Sequence, residues 1–142
     1  MTSQLKGRRM LIASTDVHEH AITVISRLLC EAGAEMINIG AEKNPDEVAS
    51  EACAHRVEAI LISTHNGMAL EYASHLKEEL RKRNAAIPVL MGGILNQKYE
   101  HKVLPVNVAK KVRELGFHVS AKLDGGFRKM LEFGKDRQEV ME

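Results

Sequence analysis

The segment RMLIASTDVHEHA, residues 9–21, contains the signal that decides the fold. Its first half is a short apolar run without helical periodicity, which is typical of a buried parallel strand. Its second half places Asp16, His18, Glu19 and His20 where the strand should turn into a helix. Three interpretations of these side chains are open: a metal site, an acid–base pair, or a polar turn in which Asp16 caps the helix.

The rest of the chain repeats this order of strand, turn and helix. Gly33 is predicted to end the first helix, and Asn44 and Pro45 to begin the second. Strands that alternate with helices indicate a parallel sheet covered on both faces. Five strands in 142 residues favour a flavodoxin-like, doubly wound α/β fold, a three-layer sandwich in one domain over residues 1–142. The predicted strands are 9–15, 35–40, 58–64, 89–93 and 117–123; the helices are 19–32, one from 44, 68–83, 105–115 and 127–133; 94–104 is predicted to be a surface loop.

The fold predicts where a ligand should bind. In open α/β sheets ligands lie beyond the carboxyl ends of the strands, near the point where the strand order reverses. Small and polar residues dominate those ends here, and pairs of glycines occur nowhere else in the sequence. A backbone kept bare in this way leaves room for a bulky group. The predicted ends are 14–18, 63–67, 92–93 and 124–126.

Composition and charge argue against several functional classes. The formal charge is +1 and Lys and Arg are scattered, so no nucleic-acid surface is expected. No apolar stretch approaches the roughly 18 residues that span a bilayer. The first residues carry no apolar segment behind their charges, so we expect no secretory signal and a cytoplasmic protein. Cys30 and Cys53 match no metal spacing and are expected to be buried thiols in a reducing compartment.

Other site chemistries have weak support in the sequence. Zinc needs three or four ligands, and only His18 and His65 would meet at adjacent strand ends. Ser63, His65 and Asp16 match a catalytic triad by residue type alone, without a nucleophile elbow. The first predicted strand is followed neither by a glycine-rich phosphate-binding fingerprint nor by the paired acids of a phospho-acceptor domain.

Three short sequence elements fall at the predicted strand ends. They are Asp16-x-His18-x-x-Ala21, Ser63-x-His65 and Gly92-Gly93, separated by 41 residues (22–62) and 26 residues (66–91). Their order and spacing resemble the D-x-H-x-x-G, S-x-L and G-G pattern of the cobalamin-binding domains of adenosylcobalamin-dependent mutases and methionine synthase. The resemblance covers nearly the whole chain, because the order of strands and helices is also that of the family.

The resemblance implies a role for each of these residues. Members of that family bind cobalamin base-off, with the nucleotide tail in a deep slot and a histidine as the lower axial ligand of cobalt. Here His18 would be the cobalt ligand, and Asp16 would accept a hydrogen bond from its other ring nitrogen. Ser63 would contact the nucleotide base. The small residues that would line the slot are Gly92, Gly93, Gly125 and Gly126.

Two positions depart from the family pattern. Ala21 stands where the family has glycine, and it adds a methyl group near the helix start. His65 stands where the family has leucine, and it brings a group able to hydrogen-bond to the tail or stack on it. We expect both residues in the cofactor site. A domain that has lost cobalamin, or that binds a variant corrinoid, is the alternative.

The resemblance implies the small cofactor-binding subunit of a two-component adenosylcobalamin-dependent mutase of the glutamate mutase type, an isomerase component that is not catalytic alone. A large barrel-type subunit would be the partner, since 142 residues leave no room for a substrate barrel. Adenosylcobalamin is the expected form; methylcobalamin would suit a corrinoid carrier for methyl transfer. A cobalamin-sensing module and a plain flavodoxin-like interaction domain are further alternatives. Substrate and self-association stay open.

Overall fold

A central parallel sheet organises the structure, a computed structural model that describes residues 6–17, 19–101 and 104–120. The strands are β1 Arg9–Ser14, β2 Glu35–Gly40, β3 Ala59–Thr64, β4 Val89–Gly93, β5 Asn96–Gln97, β6 Val106–Asn107 and β7 His118–Ser120. Five of them form one sheet in the order β2-β1-β3-β4-β7, and every neighbouring pair is parallel. This is the flavodoxin-like order, so the predicted fold class is confirmed.

Helices cover both faces of this sheet. They are α1 His20–Glu31, α2 Pro45–Ala54, α3 Ala69–Lys82 and α4 Ala109–Glu114. Alternate residues of β1 point to opposite faces, as the period of a strand requires. Met10 and Ile12 pack in a cluster with α1, whereas Leu11 and Ala13 pack in a larger cluster with α2, α3 and α4. The chain therefore leaves β1 toward one face and β3 toward the other.

Local signals explain the helix ends that the sequence predicted. The main-chain N–H of Asn44 donates to the Glu47 carboxylate at 3.3 Å in a capping box, and Pro45 takes the first helical position of α2. Gly33 follows the end of α1 in a left-handed conformation, with φ of +103°. Both helix boundaries follow from capping chemistry that is visible in the sequence.

The segment after β4 differs from the surface loop that the sequence predicted. β5 pairs antiparallel with β6, and Leu95 and Gln97 are buried. Because the following residues form β6, α4 begins at Ala109 rather than at Pro105. Two-residue strands are too short to produce a periodic pattern, so the sequence did not reveal this hairpin.

Three further sequence predictions concern the cysteines, the membrane and the C-terminal part of the chain. Cys30 is exposed and Cys53 is partly exposed, so the expectation of buried thiols was wrong. No helix in the described ranges combines the length and apolar character of a membrane span. The end of the last predicted strand, the loop with Gly125 and Gly126, and the final predicted helix lie outside the described residues.

Candidate functional site

The candidate site lies where the strand order reverses. β1 and β3 are adjacent, with β2 beyond β1 and β4 beyond β3, so the carboxyl ends of β1 and β3 form the switch point. Asp16 follows β1 and His65 follows β3, and the two residues are in contact although 49 positions separate them. The fold thus brings together two of the elements that the sequence singled out.

The Asp16 carboxylate is held by donors from both strands. Its Oδ2 accepts a hydrogen bond from the main-chain N–H of His65 at 2.9 Å, and its Oδ1 accepts one from Ser14 Oγ at 3.3 Å. The side chain is 11% exposed, and the His65 Nδ1 lies 3.9 Å from Oδ2. Asp16 does not cap α1, because the N-cap residue is Glu19 and no side-chain hydrogen bond caps that helix. The interpretation of Asp16 as a helix cap is therefore wrong.

Hydroxyl groups tie the ends of β1 and β3 together beneath this carboxylate. Thr15 Oγ1 donates to Thr64 Oγ1 at 2.9 Å, and Thr64 Oγ1 donates to Asn66 Oδ1 at 3.4 Å. Asn66 Oδ1 also accepts from the main-chain N–H of Met68 at 3.2 Å, just before α3. This chain of hydrogen bonds fixes the loop that carries His65. Sequence reasoning gave these side chains no role, and their only signal was their position at the predicted strand ends.

The loop after β2 completes one wall of the site. The main-chain N–H groups of Glu42 and Lys43 donate to the carbonyl oxygens of Asp16 and Ser14 at 3.0 and 3.1 Å. The Tyr72 hydroxyl of α3 donates to the Lys43 carbonyl at 2.7 Å. Burial raises the pKa of Tyr72, with smaller contributions from nearby carboxylates, so this hydroxyl keeps its proton as a donor. Backbone hydrogen bonds therefore hold the Asp16 turn from a third side.

Ser63, Gly92 and Gly93 lie side by side on the neighbouring strands. Ser63 is buried and pairs with Gly92, and Thr64 pairs with Gly93. Gly93 has φ of +103°, and a Cβ atom there would collide with the Thr64 carbonyl oxygen and lie 3.0 Å from Cε1 and Nε2 of His65. Only glycine fits this position, because both the backbone conformation and the space exclude a side chain.

The remaining predicted site residues are placed less completely. Ala21 is the second residue of α1 and is half-buried. His18, Gly125 and Gly126 lie outside the described residues, so their roles stay predictions. Within residues 6–17, 19–101 and 104–120, no group of three or more His, Cys, Asp or Glu side chains is arranged to hold a metal ion.

Similar proteins are found among curated sequences. Glutamate mutase sigma subunit 1 of Haloarcula marismortui is 32% identical over 97 residues, which cover 67% of this chain and 64% of that protein. The 2-hydroxyisobutanoyl-CoA mutase small subunit of Aquincola tertiaricarbonis is 29% identical over 111 residues, covering 76% and 75%. The fused isobutyryl-CoA mutase of Geobacillus kaustophilus is 29% identical over 87 residues, 60% of this chain and 8% of that protein. The match to the first of these relatives thus spans less than two thirds of its length.

Solved structures share the fold at low identity. The monomethylamine corrinoid protein of Methanosarcina barkeri superposes with a TM-score of 0.66 and 16% identity, covering 92% of this chain and 60% of that one. A cobalamin-binding protein of Desulfitobacterium hafniense superposes with a TM-score of 0.61 and 19% identity, covering 94% and 59%. At this identity the likeness establishes the architecture alone.

The sequence model of one family covers most of the chain. It is described as the B12 binding domain, and it matches residues 10–120. That range contains the Asp16 turn, the end of β3 and the paired glycines of β4. The chain therefore belongs to the B12-binding domain family, as its spaced motifs predicted.

Proposed function

We propose that this chain binds cobalamin as the small subunit of a two-component, adenosylcobalamin-dependent mutase. The observation that carries the proposal is the Asp16 carboxylate, fixed at the switch point of a chain in the B12-binding domain family. Relatives named as mutase subunits support the two-component arrangement, and a large barrel-type subunit would hold the substrate. The chain would then be one component of an isomerase and not catalytic alone.

The Asp16 turn fits a corrinoid that is held by one imidazole of the protein. A carboxylate held by Ser14 and His65 is oriented, and it could also accept a hydrogen bond from the ring N–H of a ligating histidine. His18, two positions later, would supply the axial nitrogen. The hydrogen bond from His18 to Asp16 would fix the tautomer and raise the basicity of the ligand.

The neighbouring strand ends fit the nucleotide tail. Gly92 and Gly93 carry no side chains, so a planar base could lie close to the backbone at the end of β4, where the His65 ring already packs against Gly93. Ser63 would contact that base from β3, and Ala21 would lie where α1 starts. Gly125 and Gly126 would border the far end of the tail.

When bound, adenosylcobalamin supplies the cobalt–carbon bond whose homolysis starts a carbon-skeleton or amino-group rearrangement. This chain would hold the cofactor, and Asp16 would orient the His18 imidazole that binds cobalt. Substrate contacts would belong to the partner subunit.

Visible absorption spectroscopy tests the proposal. The purified chain should take up adenosylcobalamin and hydroxocobalamin base-off, with a shifted spectrum. In the cobalt(II) form, the electron paramagnetic resonance spectrum should show coupling to one imidazole nitrogen. His18→Ala should lose that coupling, and we expect its affinity to fall by at least the roughly 10-fold that removal of an outer-shell partner of a metal ligand costs. His20→Ala is the matched control from the same segment, and it should behave like the unchanged protein.

An unchanged spectrum with both cobalamins would contradict cofactor binding. Co-purification separates the remaining functions. A barrel-type subunit with isomerase activity would support the mutase subunit, whereas methyl transfer with a methyltransferase partner would support a corrinoid carrier.

A further inference from the structure

The imidazole of His65 lies between the Asp16 carboxylate and Gly93 at the end of β4. Its Nδ1 is 3.9 Å from Asp16 Oδ2, and the side chain is 29% exposed. On the other side, its Cε1 and Nε2 are each 3.0 Å from the point where a Cβ atom on Gly93 would lie. The ring therefore covers the bare backbone at the end of β4, and a group that approaches Gly93 must meet it.

The main chain holds the ring in this place. The His65 N–H is bound to Asp16, and the preceding Thr64 is buried and bound to Thr15. The hydrogen bond between Asn66 and Met68 fixes the residues that follow. The ring itself packs between Asp16 and Gly93, so it loses little further freedom when it binds a ligand and can contribute to selectivity.

An imidazole offers a nitrogen donor and a nitrogen acceptor, whereas the leucine of the family pattern would offer only methyl groups. The outer edge of 5,6-dimethylbenzimidazole carries two methyl groups and no hydrogen-bonding atom. Adenine carries an amino donor and ring nitrogen acceptors at the same edge. A polar side chain that loses its hydrogen bonds against an apolar ligand disfavours that ligand.

We propose that His65 makes this site selective for corrinoids whose lower base is a purine rather than 5,6-dimethylbenzimidazole. The inference rests on the proposed cobalamin function and adds the class of lower base. The inference comes from His65, the motif position at which a polar ring replaces leucine and contacts the end of β4.

Three corrinoids test the inference on the full chain. They are hydroxocobalamin, the corresponding corrinoid with adenine as its lower base, and cobinamide, which has no nucleotide. The dissociation constant of each is measured by absorption titration for the unchanged protein, His65→Leu and His65→Gln. The unchanged protein should bind the adenine corrinoid more tightly than hydroxocobalamin, by about fivefold to tenfold.

His65→Leu should abolish or reverse this preference, whereas His65→Gln should keep it, because the amide retains a donor and an acceptor. Cobinamide affinity should stay equal in all three proteins, since cobinamide lacks the base.

The inference is overturned if the ratio of the dissociation constants of the two nucleotide-bearing corrinoids is the same in the unchanged protein and His65→Leu. It is also overturned if cobinamide binding changes in parallel. Failure of the unchanged protein to bind any corrinoid would refute the proposed function as well, whereas binding without selectivity would refute only this inference.

Discussion

Asp16 depends on donors that lie far apart in the sequence. Ser14 is two residues away, but the His65 N–H comes from the residue that follows β3, and 49 positions separate it from Asp16. These two hydrogen bonds orient the Asp16 carboxylate. The spacing of the motifs predicted that these residues would share one edge of the sheet. It could not predict that a main-chain group of His65 would be the donor, because that contact depends on the register of β1 and β3.

Gly93 has the closest contact at its Cβ position among the described glycines with positive φ, so substitution there should be costly. Gly93→Ala forces a side chain into a left-handed conformation, at about 1–2 kcal/mol. The collision with the Thr64 carbonyl adds about 1–3 kcal/mol, since backbone must shift. Gly116→Ala is the matched control, because Gly116 has φ of +95° and nothing lies within 4 Å of its Cβ position. Urea unfolding measures both, and equal losses of stability would contradict the steric argument.

At the scale of elements, regular strands and helices were predictable, whereas the short hairpin was not. β2 and β4 begin and end at the predicted residues, and α1 and α3 agree within one residue at each end, because apolar patterns and capping residues mark them. The β5–β6 hairpin carries the buried Gln97 side chain, which accepts a hydrogen bond from the first turn of α3. Sequence patterns could not predict the orientation of Asp16 or the lack of space at Gly93 either, because tertiary contacts create both.

Gln97 caps α3 from outside the helix. Its Oε1 accepts a hydrogen bond from the Glu71 N–H in the first turn at 3.0 Å, and α3 has no side-chain cap of its own. Gln97→Ala should therefore reduce the free energy of unfolding by about 1–2 kcal/mol, since a buried acceptor is lost. Asn96→Ala, at the adjacent position of β5, should change it by less than about 0.5 kcal/mol. Denaturant unfolding of both variants is the measurement, and a similar effect of the two would show that Gln97 is not a cap.

The topology of the whole molecule explains why a ligand is expected to bind at Asp16. The chain leaves β1 toward the face covered by α1, and it leaves β3 toward the face covered by α3. The two loops therefore diverge from adjacent strand ends, and a ligand can enter between them. Such a ligand would contact segments from both faces and the middle of the sheet at once.

Cofactor binding should therefore stabilise the molecule as a unit. A ligand that binds only the folded state, at a free concentration 100 times its dissociation constant, adds about 2.7 kcal/mol to the free energy of unfolding. For a domain of this size that corresponds to a rise in Tm of roughly 5–10 °C. Differential scanning calorimetry with increasing hydroxocobalamin should show this rise, and His18→Ala should show less of it at the same concentration. Flavin mononucleotide, a ligand of other proteins with this strand order, is the control and should leave Tm unchanged, because the axial ligand proposed here, His18, would have no metal to bind in a flavin. A rise with the flavin but not with the corrinoid would instead favour a flavodoxin-like function for the same site.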